Sequence, residues 1–384
     1  MARMVEALER HRGGRLSCLE AAEWLGISER HFRRLRDKYE ADGAEGLIDR
    51  RRGRTSGRAV PVDRIEWMLE QFDTRYFDFN AKHFHERLKA DHGWPFSYTF
   101  TKTQLQKAGR LKPGRRRSPH RRRRPRRPLP GMMLMQDGSP YRWIPGLERD
   151  FDLIATMDDA TGTVYSAFLV DEEGTMSTLR GLGEVIAAHG LFSSLYTDRG
   201  SHYFHTPKAG GPVDKTKPTQ VGHALARLGI QHIPSYSPEA RGRMERLFQS
   251  FQGRLPQELR LAGIESVADA DRYIRDVFLP AYNARFAVKA AEDGTAFVPY
   301  VGPPLAEALC VQETRQVGKD NCVRYDGLVL QIPPQAHRHH FVKATVLVRR
   351  YPAGGLALFH GPRCLARYTD DGTLVSGADA RQAA

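Results

Sequence analysis

The chain has 384 residues, more than one ordinary compact core accommodates, so a modular architecture of several domains is expected. Lysine and arginine number 59 against 45 acids, a net charge of +14, which favours a polyanionic partner and nucleic acid first. No apolar run approaches the roughly 18 to 20 residues of a spanning helix and no signal-peptide core opens the chain, so membrane partners are excluded and a soluble, cytoplasmic protein is expected.

The four cysteines, Cys18, Cys310, Cys322 and Cys364, are scattered without a CxxC pair, which argues against a disulfide framework or a zinc finger. His337, Arg338, His339 and His340 are the densest histidine cluster; with no spaced second pair they read as a solvated loop.

In chain order, Leu16–Tyr39 reads LSCLEAAEWLGISERHFRRLRDKY, two short helical patterns about a turn at Gly26. Ser28 is placed to N-cap the second helix, and Phe32, Leu35 and Tyr39 recur on its inward face. Arg30, Arg33 and Arg34 then point outward, where they suit a DNA major groove, although a solvated helix explains the same pattern. Residues 1–54 are therefore expected to be a helix-turn-helix DNA-binding domain. The stretch DRRRGRTSG at Asp49–Gly57 reads as a linker. A second helical DNA-binding module is expected over residues 55–109, from the apolar face of Ile65, Met68, Leu69 and Phe72 and from helices over Ala81–His92 and Phe100–Ala108.

Residues 110–130 form a basic linker. Its core, RLKPGRRRSPHRRRRPRR at Arg110–Arg127, carries dense charge broken by prolines and cannot bury a core. A solvated tether is one reading. The other is that Arg115, Arg116, Arg117, Arg121, Arg122, Arg123 and Arg124 track a duplex backbone or a narrow minor groove, since each neutralised phosphate releases counterions.

Beyond Pro130 the pattern changes to strands over Met132–Asp137, Asp152–Met157 and Val164–Val170, with DDATG at Asp158–Gly162 turning between the last two. A helix over Met176–His189, a strand over Leu191–Thr197 and a long helix over Ala240–Leu259 follow. Strands first, then alternating helices and strands, is an RNase-H-like order, assigned to residues 131–295. The tail, 296–384, is expected to be a small β-rich domain with strands over Val323–Ile332, Lys343–Tyr351 and Leu356–Tyr368.

Three acids stand out by setting. Asp137 ends an apolar strand, Asp198 ends another with Gly200 beside it, and Glu245 lies on the long helix. If the strands are neighbours and the helix crosses their ends, the carboxylates converge, and two magnesium or manganese ions would relieve their repulsion by oxygen coordination. Two such ions suit in-line attack at a phosphodiester. Met244, Phe248, Phe251 and Leu255 make the packing face of that helix, with Glu245, Gln249 and Gln252 on the adjacent stripe; Arg241 and Arg243 are placed to meet strand phosphates. The plainer alternative makes the aspartates strand-end caps and Glu245 a partner of Arg241. Asp158 and Asp159 are rival ligands that read most simply as a turn, and Glu239 as an acid favouring a helix N-terminus.

At these residues the chain resembles DDE transposases of the ISNCY type, within the retroviral-integrase superfamily. The resemblance runs through the leading helix-turn-helix, QDGSPYRW (136–143), MDDATG (157–162), YTDRGSHYF (196–204), SPEARGRMER (237–246), QGRLPQELRLAGI (252–264) and YNARFAV (282–288). It implies that Asp137, Asp198 and Glu245 are the catalytic acids, and that PKAGGPVDKTKP (207–218) is an insertion before the last catalytic helix, with Gln220 just after it. It places Arg243 where the family often has lysine. It further implies cutting and joining of transposon ends to target DNA by a homo-oligomer, associated with the bacterial nucleoid when DNA-bound. A non-catalytic DNA-binding regulator and a general nuclease are the competing functions; the intact acidic triple favours the enzyme.

DNA affinity is expected to reside mainly before Pro130 and to fall steeply with salt. Replacing Arg115–Arg117 and Arg121–Arg123 with glutamine should flatten the slope of log affinity against log salt by about 0.9 for each phosphate no longer neutralised. Fluorescence anisotropy between 50 and 200 mM salt measures this, and an unchanged slope would make the tract a tether only.

Overall fold

The computed structural model describes residues 1–49, 60–112, 124–208, 211–214, 216–236, 242–336 and 338–375. Arg115, Arg116, Arg117, Arg121, Arg122, Arg123, Glu239, Arg241 and His337, singled out above, lie outside them. The chain divides into two compact units, 1–70 and 71–384.

The first unit begins with α1 (Ala2–Arg12), which sequence periodicity did not flag, then α2 (Cys18–Leu25) and α3 (Glu29–Asp42). Ser17 and Glu20 form a reciprocal capping box at the start of α2, and Gly26, at φ 70°, ends it in the left-handed region that favours glycine. Ser28 caps α3 by accepting from the His31 amide, 3.3 Å. Phe32 is fully buried among Ala7, Leu8, Ala21 and Ala22, with Tyr39 against the same cluster. Arg30, Arg33 and Arg34 stay exposed, and Arg33 pairs with Glu29 at 2.5 Å.

After α4 (Val62–Thr74), which crosses the division, come α5 (Ala81–His92) and α6 (Tyr98–Lys107). A five-stranded sheet follows, built from β1 (Leu134–Tyr141), β2 (Phe151–Asp158), β3 (Val164–Val170), β4 (Ser194–Thr197) and β5 (Gln231–Pro234). Its order is β3-β2-β1-β4-β5, antiparallel on one side of β1 and parallel on the other, which is the RNase-H-like arrangement. The helices α7 (Thr175–His189) and α8 (Gln220–Arg227) cover one face. Against the other pack α9 (Gly242–Gln252), α10 (Leu255–Leu261), α11 (Val267–Tyr273) and α12 (Leu279–Phe286), with a π-helical stretch at Ile274–Phe278. The single helix expected over Ala240–Leu259 is thus two, separated at Gly253–Arg254, with Pro256 in the first turn of α10.

After the short α13 (Leu305–Ala308), the tail forms β6 (Val311–Gln316), β7 (Cys322–Tyr325), β8 (Leu328–Gln331), β9 (Thr345–Arg350), β10 (Leu356–His360) and β11 (Arg363–Tyr368). The order β11-β10-β9-β6 makes one sheet and β7-β8 a hairpin, and both feed one apolar core. Two of the expected strands are hairpins. Asp326 and Gly327 both take positive φ and turn β7 into β8, while Gly361 lies in the turn between β10 and β11. Among the described residues no helix is long and apolar enough to cross a membrane.

The helices before the sheet dock on the core through ion pairs. Glu258 of α10, mostly buried, binds His83 at 2.5 Å and Arg87 at 2.6 Å from α5. Glu86 pairs with Arg254 at 2.8 Å and with Arg285, and Arg260 holds Asp78 at 2.7 Å. Burial holds the His83 pKa below its usual value despite Glu258, and the His83 and Arg87 partners hold Glu258 below the usual carboxylate range against its own burial. Both folded values are depressed, so the stability they contribute is full above the unfolded pKa and is lost as pH falls through the folded one. Denaturant midpoints should therefore decline from pH ~6.5 downward, with a further fall below ~4.3. The His83→Gln variant should soften the upper part of that decline, which His85, His189 and His232 share because burial lowers their pKa values too, and an unchanged profile would remove His83 from the acid response.

Candidate active site

Register decides where the acids stand. Strand β1 pairs in parallel with β4, Leu134 beside Leu195 and Met135 beside Tyr196, and the same 61-residue offset separates Asp137 from Asp198. Asp137 lies on β1 two residues past Met135, and Asp198 lies two residues past Tyr196, just after β4. Met135 packs with Met244, Leu247 and Phe248 of α9, whereas Leu134 belongs to the α7 and α8 face; alternation along the strand puts Asp137 with Met135. Asp137 is buried and Asp198 half-buried.

Asp137 does not end its strand, as its position in the sequence suggested. β1 continues to Tyr141 because β2 stays paired with it from Asp158 to Phe151, and Trp143 is buried just beyond. Asp198 does follow the last residue of β4, and its Oδ1 accepts from the Gly200 amide at 2.8 Å.

Glu245 lies exposed in the first turn of α9, one turn before the buried Phe248. Arg243 reaches Asp159 just past the residue opposite Leu134, and Gln252 donates from Nε2 to Ser139 Oγ at 3.3 Å, so α9 runs beside β1 in the same direction. Among the described residues no three His, Cys, Asp or Glu side chains are grouped closely enough to hold a metal ion. Asp137, Asp198 and Glu245 each carry the oxygen donors a hard cation takes.

The turn after β2 separates the two rival acids. Both are fully buried. Asp158 closes the DDATG turn, accepting from the Thr161 amide at 2.7 Å, Thr161 Oγ1 at 2.9 Å and the Gly131 amide at 3.0 Å; burial pushes its pKa up against those bonds. Asp159 instead binds the guanidinium groups of Arg124 and Arg243. Arg243, expected at DNA phosphates, is thus engaged within the fold, and burial pulls its pKa down even beside Asp159.

A polar group behind β1 escaped sequence reasoning. Gln136 donates to Thr156 Oγ1 at 3.0 Å and accepts from the fully buried Tyr203 hydroxyl at 3.3 Å. That hydroxyl also lies 3.4 Å from Glu173, whose carboxylate is 3.5 Å from His202. Burial, followed by the charges of Glu173, Asp137 and Asp198, raises the Tyr203 pKa far above normal. Gly138 makes room for this group, since a Cβ there would stand 2.7 Å from the Glu173 carboxyl carbon. His232, held neutral by burial with a pKa of about 4, meets Thr197 Oγ1 at 3.0 Å beside Asp198. The motif YTDRGSHYF contains His202 and Tyr203, but nothing in its spacing links them to Glu173.

The transposase of Sinorhizobium fredii named "Putative transposase y4bF" is 30% identical over 316 residues, covering 82% of this chain and 68% of its own length. This chain is a member of the transposase family. The transposase for insertion sequence IS1202 of Streptococcus pneumoniae is 26% identical over 307 residues, 71% of this chain and 64% of that protein. The chain thus spans about two thirds of the length of these relatives. The helix-turn-helix domain family matches residues 3–55 of this transposase. Among solved structures, the simian T-cell lymphotropic virus intasome in complex with PP2A regulatory subunit B56 gamma aligns over 74% of the transposase and 93% of that chain, at 16% identity and TM-score 0.36. The HTLV-2 integrase catalytic core domain in complex with magnesium, dimeric form, aligns over 39% and 89%, at 16% identity and TM-score 0.29. At those TM-scores the RNase-H-like assignment rests on strand order alone.

Proposed function

We propose that this transposase binds the terminal inverted repeats of its element and cuts and joins DNA by a DDE mechanism, with Asp137, Asp198 and Glu245 holding two divalent cations. The observation that supports the reading is that the parallel β1–β4 pairing of an RNase-H-like sheet has a 61-residue offset, the same offset that separates Asp137 on β1 from Asp198 just after β4. Magnesium or manganese bound there would activate the attacking oxygen of water or a DNA 3′-hydroxyl and stabilise the leaving oxygen.

Carboxylates brought together here would repel each other when empty, so the site would favour a bound cation. Glu245, exposed in the first turn of α9, would supply the third carboxylate to the cations. The Gly200 amide fixes one oxygen of Asp198 and so orients the carboxylate. Recognition is assigned to α3, where the exposed Arg30, Arg33 and Arg34 face a major groove, and the basic linker holds the duplex by binding phosphates. Handling two ends together calls for a homo-oligomer on transposon and target DNA.

Arg30→Ala and Arg33→Ala should each cost cognate ends about 1–3 kcal/mol of binding and scrambled duplex much less, as expected for base-edge recognition. Arg33 must first leave Glu29, a surface pair that resists little. Gel shifts on both duplexes measure the difference; equal losses would make these residues phosphate ligands.

Asp137→Asn, Asp198→Asn and Glu245→Gln should each lower cleavage and joining by more than about 100-fold, the upper end for changes merely next to a metal ligand, while end binding persists. Hydrolysis of an intact end and joining of a pre-cut end are assayed separately with magnesium and manganese, alongside a thermal melt. Near-normal joining by folded Asp137→Asn or Glu245→Gln protein would defeat the mechanism. Cutting without joining by the unaltered chain would indicate a nuclease, and binding with neither a regulator.

A further inference from the structure

We infer that Asp159 is a positioning residue: through Arg243 it sets the first turn of α9 that carries Glu245, and it ties that turn to the end of the basic linker. The inference rests on the DDE reading above. Asp159 has no exposed surface, and its Oδ1 receives the guanidinium groups of both Arg243 and Arg124. Its Oδ2 accepts from the Arg127 amide at 2.9 Å. Arg243 closes the group by donating from Nη2 to the Arg124 carbonyl at 2.7 Å. Arg126 adds bonds to the Asp159 and Ala160 carbonyls, 3.0 and 3.2 Å. One buried carboxylate therefore joins three chain segments: the turn after β2, the linker end at 124–127, and α9.

The geometry bears on Glu245 because Arg243 is two residues before it in the same turn. A helix start has no strand neighbour to fix its place. Packing of Met244 and Phe248 sets the depth of α9, while sliding along the sheet is opposed at this end by the Arg243–Asp159 bond. Two cations on one buried acid also make the group sensitive to the loss of either arginine, since desolvation makes a buried charge depend on its partners. Neither Asp159 nor Arg243 needs to touch a metal ion for this role.

Arg243→Met tests the idea with the fold spared, because Asp159 keeps Arg124 as its partner. Manganese binding to the full chain, followed by electron paramagnetic resonance, should weaken by about tenfold, the scale of changes adjoining a metal ligand. Affinity for the DNA ends should stay constant, and joining should recover with excess manganese. Arg243→Lys should restore much of the manganese affinity. Loss of DNA affinity with unchanged manganese binding would overturn the inference and make Arg243 a phosphate ligand; so would a lowered melting temperature with manganese binding intact, which marks a structural role only. Glu245→Gln is measured beside it. If that variant weakens manganese binding and Arg243→Met does not, the positioning role alone fails; if neither does, the three-carboxylate reading fails.

Discussion

The parallel pairing of β1 with β4 is the constraint from which the site follows. It fixes a single offset between two segments far apart in sequence, and that offset is the spacing of the two aspartates. β1 is the middle strand, covered on both faces, so its alternation carries different chemistry to each side: Leu134 and Gln136 toward α7, Met135 and Asp137 toward α9. A slip of one residue would reverse every side chain, burying Asp137 against the apolar α7 face and turning Gln136 away from Tyr203. The Gln136 bonds to Thr156 and Thr178 oppose such a slip, so a buried polar side chain behind the strand helps keep the acid in front of it.

A second theme is how a chain of this charge uses its acids. Glu258, Glu86, Asp78 and Asp159 are each held by arginine or histidine from another part of the second unit. These carboxylates serve as sockets for arginine, joining segments that apolar packing alone leaves ambiguous. Such pairs add little net stability, because desolvation offsets the attraction, but a wrong partner leaves a buried charge bare. Arg30, Arg33 and Arg34 of α3 remain exposed at the surface. The same residue type is thus drawn onto a buried acid in one place and left to solvent in another, as Arg243 and Arg30 illustrate.

Much of the fold was legible in the sequence. The limits of α5 and β3 were read to the residue, because an asparagine N-cap with a glycine C-cap, and a β-branched run between turns, are local signals. The strand-then-alternating order gave the sheet. What escaped were turns inside apolar runs: Asp326–Gly327 and Gly361 each split an expected strand into a hairpin. Gly253 and Arg254 likewise broke a helix whose apolar period continues across the gap. Asp198 does follow a strand, as its setting in the sequence suggests, whereas β1 runs past Asp137. Asp159 stands in the expected turn, but its pairing with Arg243 joins residues 84 positions apart and leaves no local mark in the sequence.

The three acids are positioned by different means: Asp137 stands on β1 and Asp198 just after β4, whereas Glu245 is carried by α9. Backbone hydrogen bonds lock β1 and β4 to each other. α9 touches the sheet only through side chains, and its stripe of Glu245, Gln249 and Gln252 meets β1 at the Gln252 end. A helix docked by side chains, with Met244, Leu247 and Phe248 in the core and Arg243 on Asp159, has its place set by packing and one ion pair rather than by a hydrogen-bonded ladder.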